Sequence, residues 1–143
     1  MYGIVDVSDD LDSFSDTEIM AKTLFGEARG SALETKQAVA NVIMNRVKEP
    51  RWWGSDVRSV CLKPYQFSCW NQSDPNRPVI VAATAADPVY EQCLELASRA
   101  MAGNLPDSTG GCDSYCVVGT NPAWAQKLTP YFTSGNMNFY VTV

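Results

Sequence analysis

The sequence predicts a mainly α fold with a minor β part (α+β): a compact single domain of three principal helices, aromatic-rich loops and a short C-terminal strand. Three observations carry this. Apolar residues recur at helical spacing in three long stretches, and Gly, Pro and Asn cluster between them. The last residues, Asn138 to Val143, change to an aromatic and β-branched run. The length of 143 residues fits one domain. A chain of that size buries roughly two-thirds of its unfolded surface, enough for a core without staples. At 45% hydrophobic and 19% charged, the composition is that of an ordinary globular chain.

Taken in order, residues 1–14 read as a polar arm with apolar anchors at Ile4, Val5, Val7, Leu11 and Phe14. The main domain is residues 15–143. Its first helix opens on Ser15-Asp-Thr-Glu18, a capping box in which hydroxyl and carboxylate each satisfy a free backbone N–H. Ile19, Met20, Thr23, Leu24 and Ala28 follow at helical spacing, and Gly26 and Gly30 bracket the end. Gly26 removes bulk beside the helix, and Gly30 suits a stop. Ser31-Ala-Leu-Glu34 reads as a second capping box. The helix behind it carries Ala32, Val39, Ala40, Val42, Ile43 and Val47 and ends before Pro50. A short helical piece is expected over residues 55–62. Asn71 to Pro78 reads as a loop, and Val79-Ile-Val81 has no assigned state. The third long helix has Asp87 as N-cap and Pro88 at its first position. Its stripe is Tyr90, Cys93, Leu94, Ala97, Ala100 and Met101, with Gly103 past the end. Asn121-Pro122 begin a short helix carrying Trp124, expected to be core, and Leu128.

Charge and composition remove several function classes. Eleven basic against sixteen acidic residues give a net charge of −5 with no basic cluster, which argues against nucleic acid as partner. There is no histidine, which removes Ser-His-Asp triads, Cys-His proteases and His-based zinc hydrolysis together. Proton transfer would fall to Asp, Glu, Lys, Tyr or Cys. No stretch approaches the roughly 18 apolar residues of a membrane span, so no stable membrane association is expected. The acidic N-terminus lacks the basic and apolar segments of a signal peptide, so the expected site of synthesis is the cytoplasm. The expected state is a monomer without cofactor or metal. The five cysteines are odd in number. Cys61–Cys69 and Cys112–Cys116 are near enough for local bridges, a zinc site from these four fits common spacings poorly, and Cys93 reads as a buried core residue.

The candidate for chemistry is Glu27, in Phe25-Gly-Glu-Ala-Arg-Gly30. It falls in the last turn of the first helix, where the dipole is already negative. A partly buried carboxylate there holds a proton more readily, as a general acid must. The ordinary alternative is a solvated surface glutamate. The second signal is aromatic: Trp52, Trp53, Tyr65, Phe67, Trp70, Tyr115, Trp124, Tyr131 and Tyr140 lie in loops beside amides and hydroxyls. Such faces suit sugar rings, although many aromatics simply fill a core.

Four blocks stand in a fixed order. They are Leu24-Phe-Gly-Glu-Ala-Arg-Gly30, then Gln37-Ala-Val-Ala-Asn-Val-Ile-Met-Asn-Arg-Val47, then Gln66-Phe-Ser68. The last runs from Ser114-Tyr-Cys116 through Asn121-Pro-Ala-Trp124 to Gly135-Asn-Met-Asn-Phe-Tyr140. Together they resemble a cell-wall hydrolase family typified by bacterial spore-cortex-lytic enzymes and also containing phage endolysins. The resemblance covers roughly residues 17–141. It implies a lysozyme-like fold related to lytic transglycosylases, and a catalytic glutamate matching Glu27. It further implies cleavage of peptidoglycan glycan strands at the MurNAc–GlcNAc bond, with 1,6-anhydromuramyl ends as product. Where the family often has histidines, this chain has Ser114, Cys116 and Met137. A short lysin without a leader is similar to the phage members, which reach the wall after release from the host cytoplasm.

Gln66, Ser68 and Tyr115 are the candidate substrate-binding residues, with Phe67 packed beneath them. Arg29 is expected to meet a substrate carboxylate or Glu18 or a nearby Asp. Asn45 and Arg46 are expected to hold the second helix against the loops. A second carboxylate would favour hydrolysis by water; Glu34 reads as capping, while Asp56 and Asp113 stay open. The alternatives are a hydrolytic muramidase, a non-catalytic peptidoglycan-binding or virion-associated module, and a four-cysteine zinc regulatory domain.

Overall fold

The computed structural model describes residues 11–143. Five helices lie within them: α1 (Asp16–Ala28), α2 (Leu33–Lys48), α3 (Val57–Leu62), α4 (Asn76–Ala82) and α5 (Pro88–Met101). Three strands follow: β1 (Ser114–Val117), β2 (Phe132–Ser134) and β3 (Met137–Tyr140). They form one antiparallel sheet in the order β1-β3-β2. Single 3-10 turns sit at Ser68–Trp70 and Ala123–Ala125. No helix among the described residues is long and apolar enough to cross a membrane.

Helix α1 is the axis of the domain. It packs against α5, α3, α2 and α4. Every residue from Ile19 to Phe25 is buried, so the helix is covered nearly all round. That includes Lys22, only 2% exposed. Its Nζ donates to the carbonyls of Ile80, Val81 and Ala83 at 3.1, 3.2 and 2.9 Å. These lie at the C-terminal end of α4, where carbonyls lack intrahelical partners and the dipole favours a cation. Desolvation lowers the Lys22 ammonium below its ordinary value. The rings of Phe14 and Tyr90 lie 4.4 and 4.8 Å from the nitrogen. Trp53 closes α2 in a similar way, its indole N–H shared between the carbonyls of Arg46 and Glu49.

The expected capping box at Ser15 is present, with both reciprocal bonds. The one at Ser31 is not. Helix α2 starts two residues later, Ala32 takes the N-cap without a side-chain bond, and the Ser31 carbonyl accepts from Lys36 Nζ instead. Ala32 and Glu34 are both exposed. Gly30 follows the α1 cap but does not take the left-handed conformation. Asp87 and Pro88 start α5 as expected, and Gly103 follows its end with φ 78°. On α5 it is Leu96, not Leu94, that is buried, and Met101 is exposed.

Residues 76–78, expected as loop, are the first turn of α4, and Val79-Ile-Val81, without an assigned state, continue it. Pro78 falls in the first turn of α4, where the missing N–H is not needed. The expected helix after Pro122 is one 3-10 turn that does not reach Leu128. The expected final strand is β3, ending at Tyr140, with two partners that the sequence reading did not identify. Phe139 pairs in register with Tyr115 on one side and Phe132 on the other, ring centroids 5.4 and 5.7 Å apart. This row of cross-strand aromatics anchors the sheet. Thr35 of α2 meets Ser134 of β2, hydroxyl to hydroxyl, at 2.8 Å. Leu11 and Phe14 pack against the core, while Ile4, Val5 and Val7 lie outside the described residues.

Candidate active site

The C-terminal end of α1, the Tyr65–Ser68 segment and β1 enclose a cleft of about 530 Å³. Glu27 stands in it, half-buried. Its Oε1 accepts a hydrogen bond from the Tyr115 hydroxyl at 2.5 Å, across 88 positions of sequence. Its carboxylate also meets the Cys69 thiol. Burial first, and then the Glu27 charge, push both the Tyr115 hydroxyl and the Cys69 thiol well above their ordinary values. Both therefore remain protonated, and the phenol donates to the carboxylate. Gly26 makes the thiol's approach possible: a Cβ there would lie 2.6 Å from Cys69 Cβ and 2.7 Å from its Sγ. The glycine before the glutamate is a steric necessity of this crossing.

Gln66 and Ser68 line the same cleft, so all four sequence candidates (Glu27, Gln66, Ser68 and Tyr115) come together. Phe67 is buried beneath them. Arg29 points elsewhere: its Nη2 donates to Asn76 Oδ1 at 2.6 Å, so neither Glu18 nor an aspartate is its partner. Asn45 ties α2 to the Asp107 carboxylate and the Cys112 carbonyl, as expected of a scaffold residue.

Arg46 does more than the sequence reading assigned. Its Nε donates to the Asp113 carbonyl at 2.7 Å, which is the scaffold role. It also lines the cleft. It is 6% exposed, and Nη1 has no hydrogen-bond partner. The rings of Trp53, Phe67 and Trp52 surround the guanidinium at 5.1, 5.5 and 5.9 Å, so its charge rests on aromatic faces. Desolvation brings its pKa below the ordinary value, and the neighbouring Tyr115 and Asp113 oppose that. No local pattern in the sequence marks this residue, because its cage comes from separate segments.

Trp124, expected in the core, is 43% exposed and forms part of the cleft wall. Ser114 and Thr142 also face the cleft. Among the described residues lining it, Glu27 is the sole carboxylate. Asp113 is held by the Ser114 hydroxyl and by the backbone and hydroxyl of Thr142. Asp56 caps α3, and its bonds from Ser59 keep its carboxyl below the ordinary value. The two carboxylates left open by the sequence thus serve the fold. At the positions of the family's histidines, Ser114 bonds Asp113, the Cys116 thiol approaches the Tyr140 hydroxyl at 3.9 Å, and Met137 is buried.

All five cysteines are free thiols, so neither local bridge is formed. Cys93 is buried in the core, as expected. Among the described residues no group of three or more His, Cys, Asp or Glu is placed to hold a metal, which leaves the zinc alternative without a ligand set.

Comparison with known proteins places this geometry. The chain is 32% identical over 105 residues to a spore cortex-lytic enzyme of Halalkalibacterium halodurans. That match covers 72% of this chain but only 27% of the relative, so the chain spans about a quarter of its length. The fold is similar to the crystal structure of the catalytic domain of the Bacillus cereus SleB protein, with a TM-score of 0.66 and 24% identity. That likeness covers 87% of this chain and 88% of the other. The model of the Cell Wall Hydrolase family matches residues 30–140, beginning three positions after Glu27. With most of its length inside that match, the chain belongs to the cell-wall hydrolase family.

Proposed function

We propose that this protein cleaves the glycan strands of bacterial peptidoglycan at the bond from N-acetylmuramic acid to N-acetylglucosamine, with Glu27 as its single general acid and base. One observation carries the reading: Glu27 is the sole carboxylate among the described residues lining the cleft, held by the Tyr115 phenol. Glycosidases that work through two carboxylates set them about 5–10 Å apart across the scissile bond. With one carboxylate, the attacking group comes from the substrate or from water.

The route proposed is lytic transglycosylation. Protonated Glu27 gives its proton to the bridging oxygen as the C1–O bond breaks. Oxocarbenium-like charge develops on the muramic acid ring. The Glu27 carboxylate then takes the proton of that sugar's own C6 hydroxyl as its oxygen bonds C1. The product is a 1,6-anhydromuramyl end, and no water is consumed. Tyr115 holds the carboxylate in place between the two proton transfers, since its own proton stays on. The Gln66 amide and Ser68 hydroxyl offer a donor and acceptor set for the N-acetyl group and ring hydroxyls.

Mass spectrometry of muropeptides released from purified sacculi tests this. Anhydromuramyl ends, lighter by one water than hydrolysed ends, are expected. Reducing ends alone would replace the route with a hydrolytic muramidase. Sacculi that bind the protein but are not cut would replace the enzyme with a glycan-binding module.

A further inference from the structure

We propose that Tyr65 is a platform for a sugar ring at the mouth of the cleft, aimed there by a strained turn. The proposal deepens the glycan reading and rests on it. Lys63-Pro-Tyr-Gln66 is a hydrogen-bonded β-turn, closed by the Gln66 N–H donating to the Lys63 carbonyl at 3.1 Å. Pro64 takes its second position and Tyr65 its third, with φ 66°. That is the form of a type II turn, whose third position calls for glycine or asparagine. Among the described residues Tyr65 is the one non-glycine residue with such a φ.

The fold draws nothing visible from this tyrosine. Its side chain is 82% exposed, more than that of any other large apolar residue described. Among the described residues its side chain has no hydrogen-bond partner and no ring contact. Neither burial nor bonding therefore offsets the backbone strain, and strain of that kind belongs to functional sites. The placement agrees. The turn leads directly into Gln66-Phe67-Ser68, and Tyr65 lines the cleft that holds Glu27. Two further exposed aromatics line it, Trp52 and Trp124, at 57% and 43% exposure. Each is braced edge-on by a second ring, Trp53 at 5.3 Å and Tyr140 at 5.2 Å. Tyr65 has no such brace. The turn fixes its Cα–Cβ direction instead, as packing does for the other two. Flat apolar faces in a polar groove fit the C–H face of a hexose, and the free phenol keeps the platform wet at its rim.

Four variants and two readouts test this. Tyr65→Gly removes ring and strain together, and Tyr65→Asn removes the ring while tolerating the same φ. Tyr65→Phe and Tyr65→Trp keep a flat face. With soluble uncross-linked peptidoglycan as substrate, Tyr65→Gly and Tyr65→Asn should raise KM roughly 3- to 10-fold, with a smaller fall in kcat. Tyr65→Phe and Tyr65→Trp should stay within about twofold in KM. Tyr65→Gly should also melt about 1–4 °C higher, the released strain outweighing the extra freedom of an unfolded glycine. An unchanged KM in Tyr65→Gly, or a lowered melting temperature in both Tyr65→Gly and Tyr65→Asn, overturns the proposal. Binding to insoluble sacculi in a Glu27→Gln background separates it from the catalytic reading. If Glu27→Gln still cuts, the general-acid assignment falls while the ring's effect on binding remains readable. If ring loss leaves that binding unchanged, the platform falls whatever Glu27 does.

Discussion

The two ends of α1 follow opposite rules. At its start, Ser15 and Glu18 satisfy each other's backbone N–H groups at 3.1 and 2.8 Å, and Asp16 and Glu18 put negative charge on the positive end of the dipole. Everything there is local and stabilising. At its end, Glu27 puts negative charge on the negative end, and no basic residue stands in that turn. What holds it comes from far along the chain: a phenol from β1, with the Cys69 thiol of the 3-10 turn at Ser68–Trp70 near enough to feel its charge. One carboxylate is placed for the helix and the other against it. Lys22, between them, shows that this protein can satisfy a buried charge completely when the charge has only to hold structure.

Glu27→Gln is the sharpest way to break this comparison. Clearing of sacculi should fall by about a thousandfold or more. The variant should melt no lower than wild type, since an unfavourable charge at the helix end is gone. Near-normal clearing would make Glu27 an ordinary residue in an awkward place. Lys22→Met should cost about 3 kcal/mol in urea unfolding, because three carbonyls at the end of α4 lose their shared donor. A loss under about 1 kcal/mol would mean that water replaces the ammonium. Tyr115→Phe should lower kcat about tenfold while changing stability by less than about 1 kcal/mol, since only one donor is deleted. Equal losses in both would assign the phenol to the fold. Ser15→Ala should cost about 1 kcal/mol and leave clearing unchanged, which marks the start of α1 as structural alone.

The legible parts of the fold were the local ones. Ser15 and Asp87 announce helix starts because the bonding partners sit two or three residues away. Ser31 carries the same spacing, yet α2 begins at Leu33 and leaves it uncapped. A local signal states what a residue is able to do, and the tertiary surroundings decide. Pro75 and Pro78 hid α4, because a proline in a first turn and a proline in a loop look alike in sequence. β1 and β2 are three or four residues long and gain their identity from β3, which periodicity cannot see. At the site, the awkward position of Glu27 was readable from helix electrostatics. Gln66, Ser68 and Tyr115 stand in the blocks of the family resemblance, and Tyr115 also in the aromatic signal. Arg46 is legible only in its scaffold role, because its aromatic cage exists only after separate segments have met.

Tyr115 reaches Glu27 from a strand whose partner, β3, is the last element in the order of the described fold. The consequence is one of timing. Chains are made from the N-terminus, so early elements leave the ribosome before the later ones they pack against. Helix α1 and its acid emerge from the ribosome long before the strand that steadies them is paired. A half-made chain therefore carries the acid without its phenol, and Glu27 gains that partner only once β1 has paired with β3.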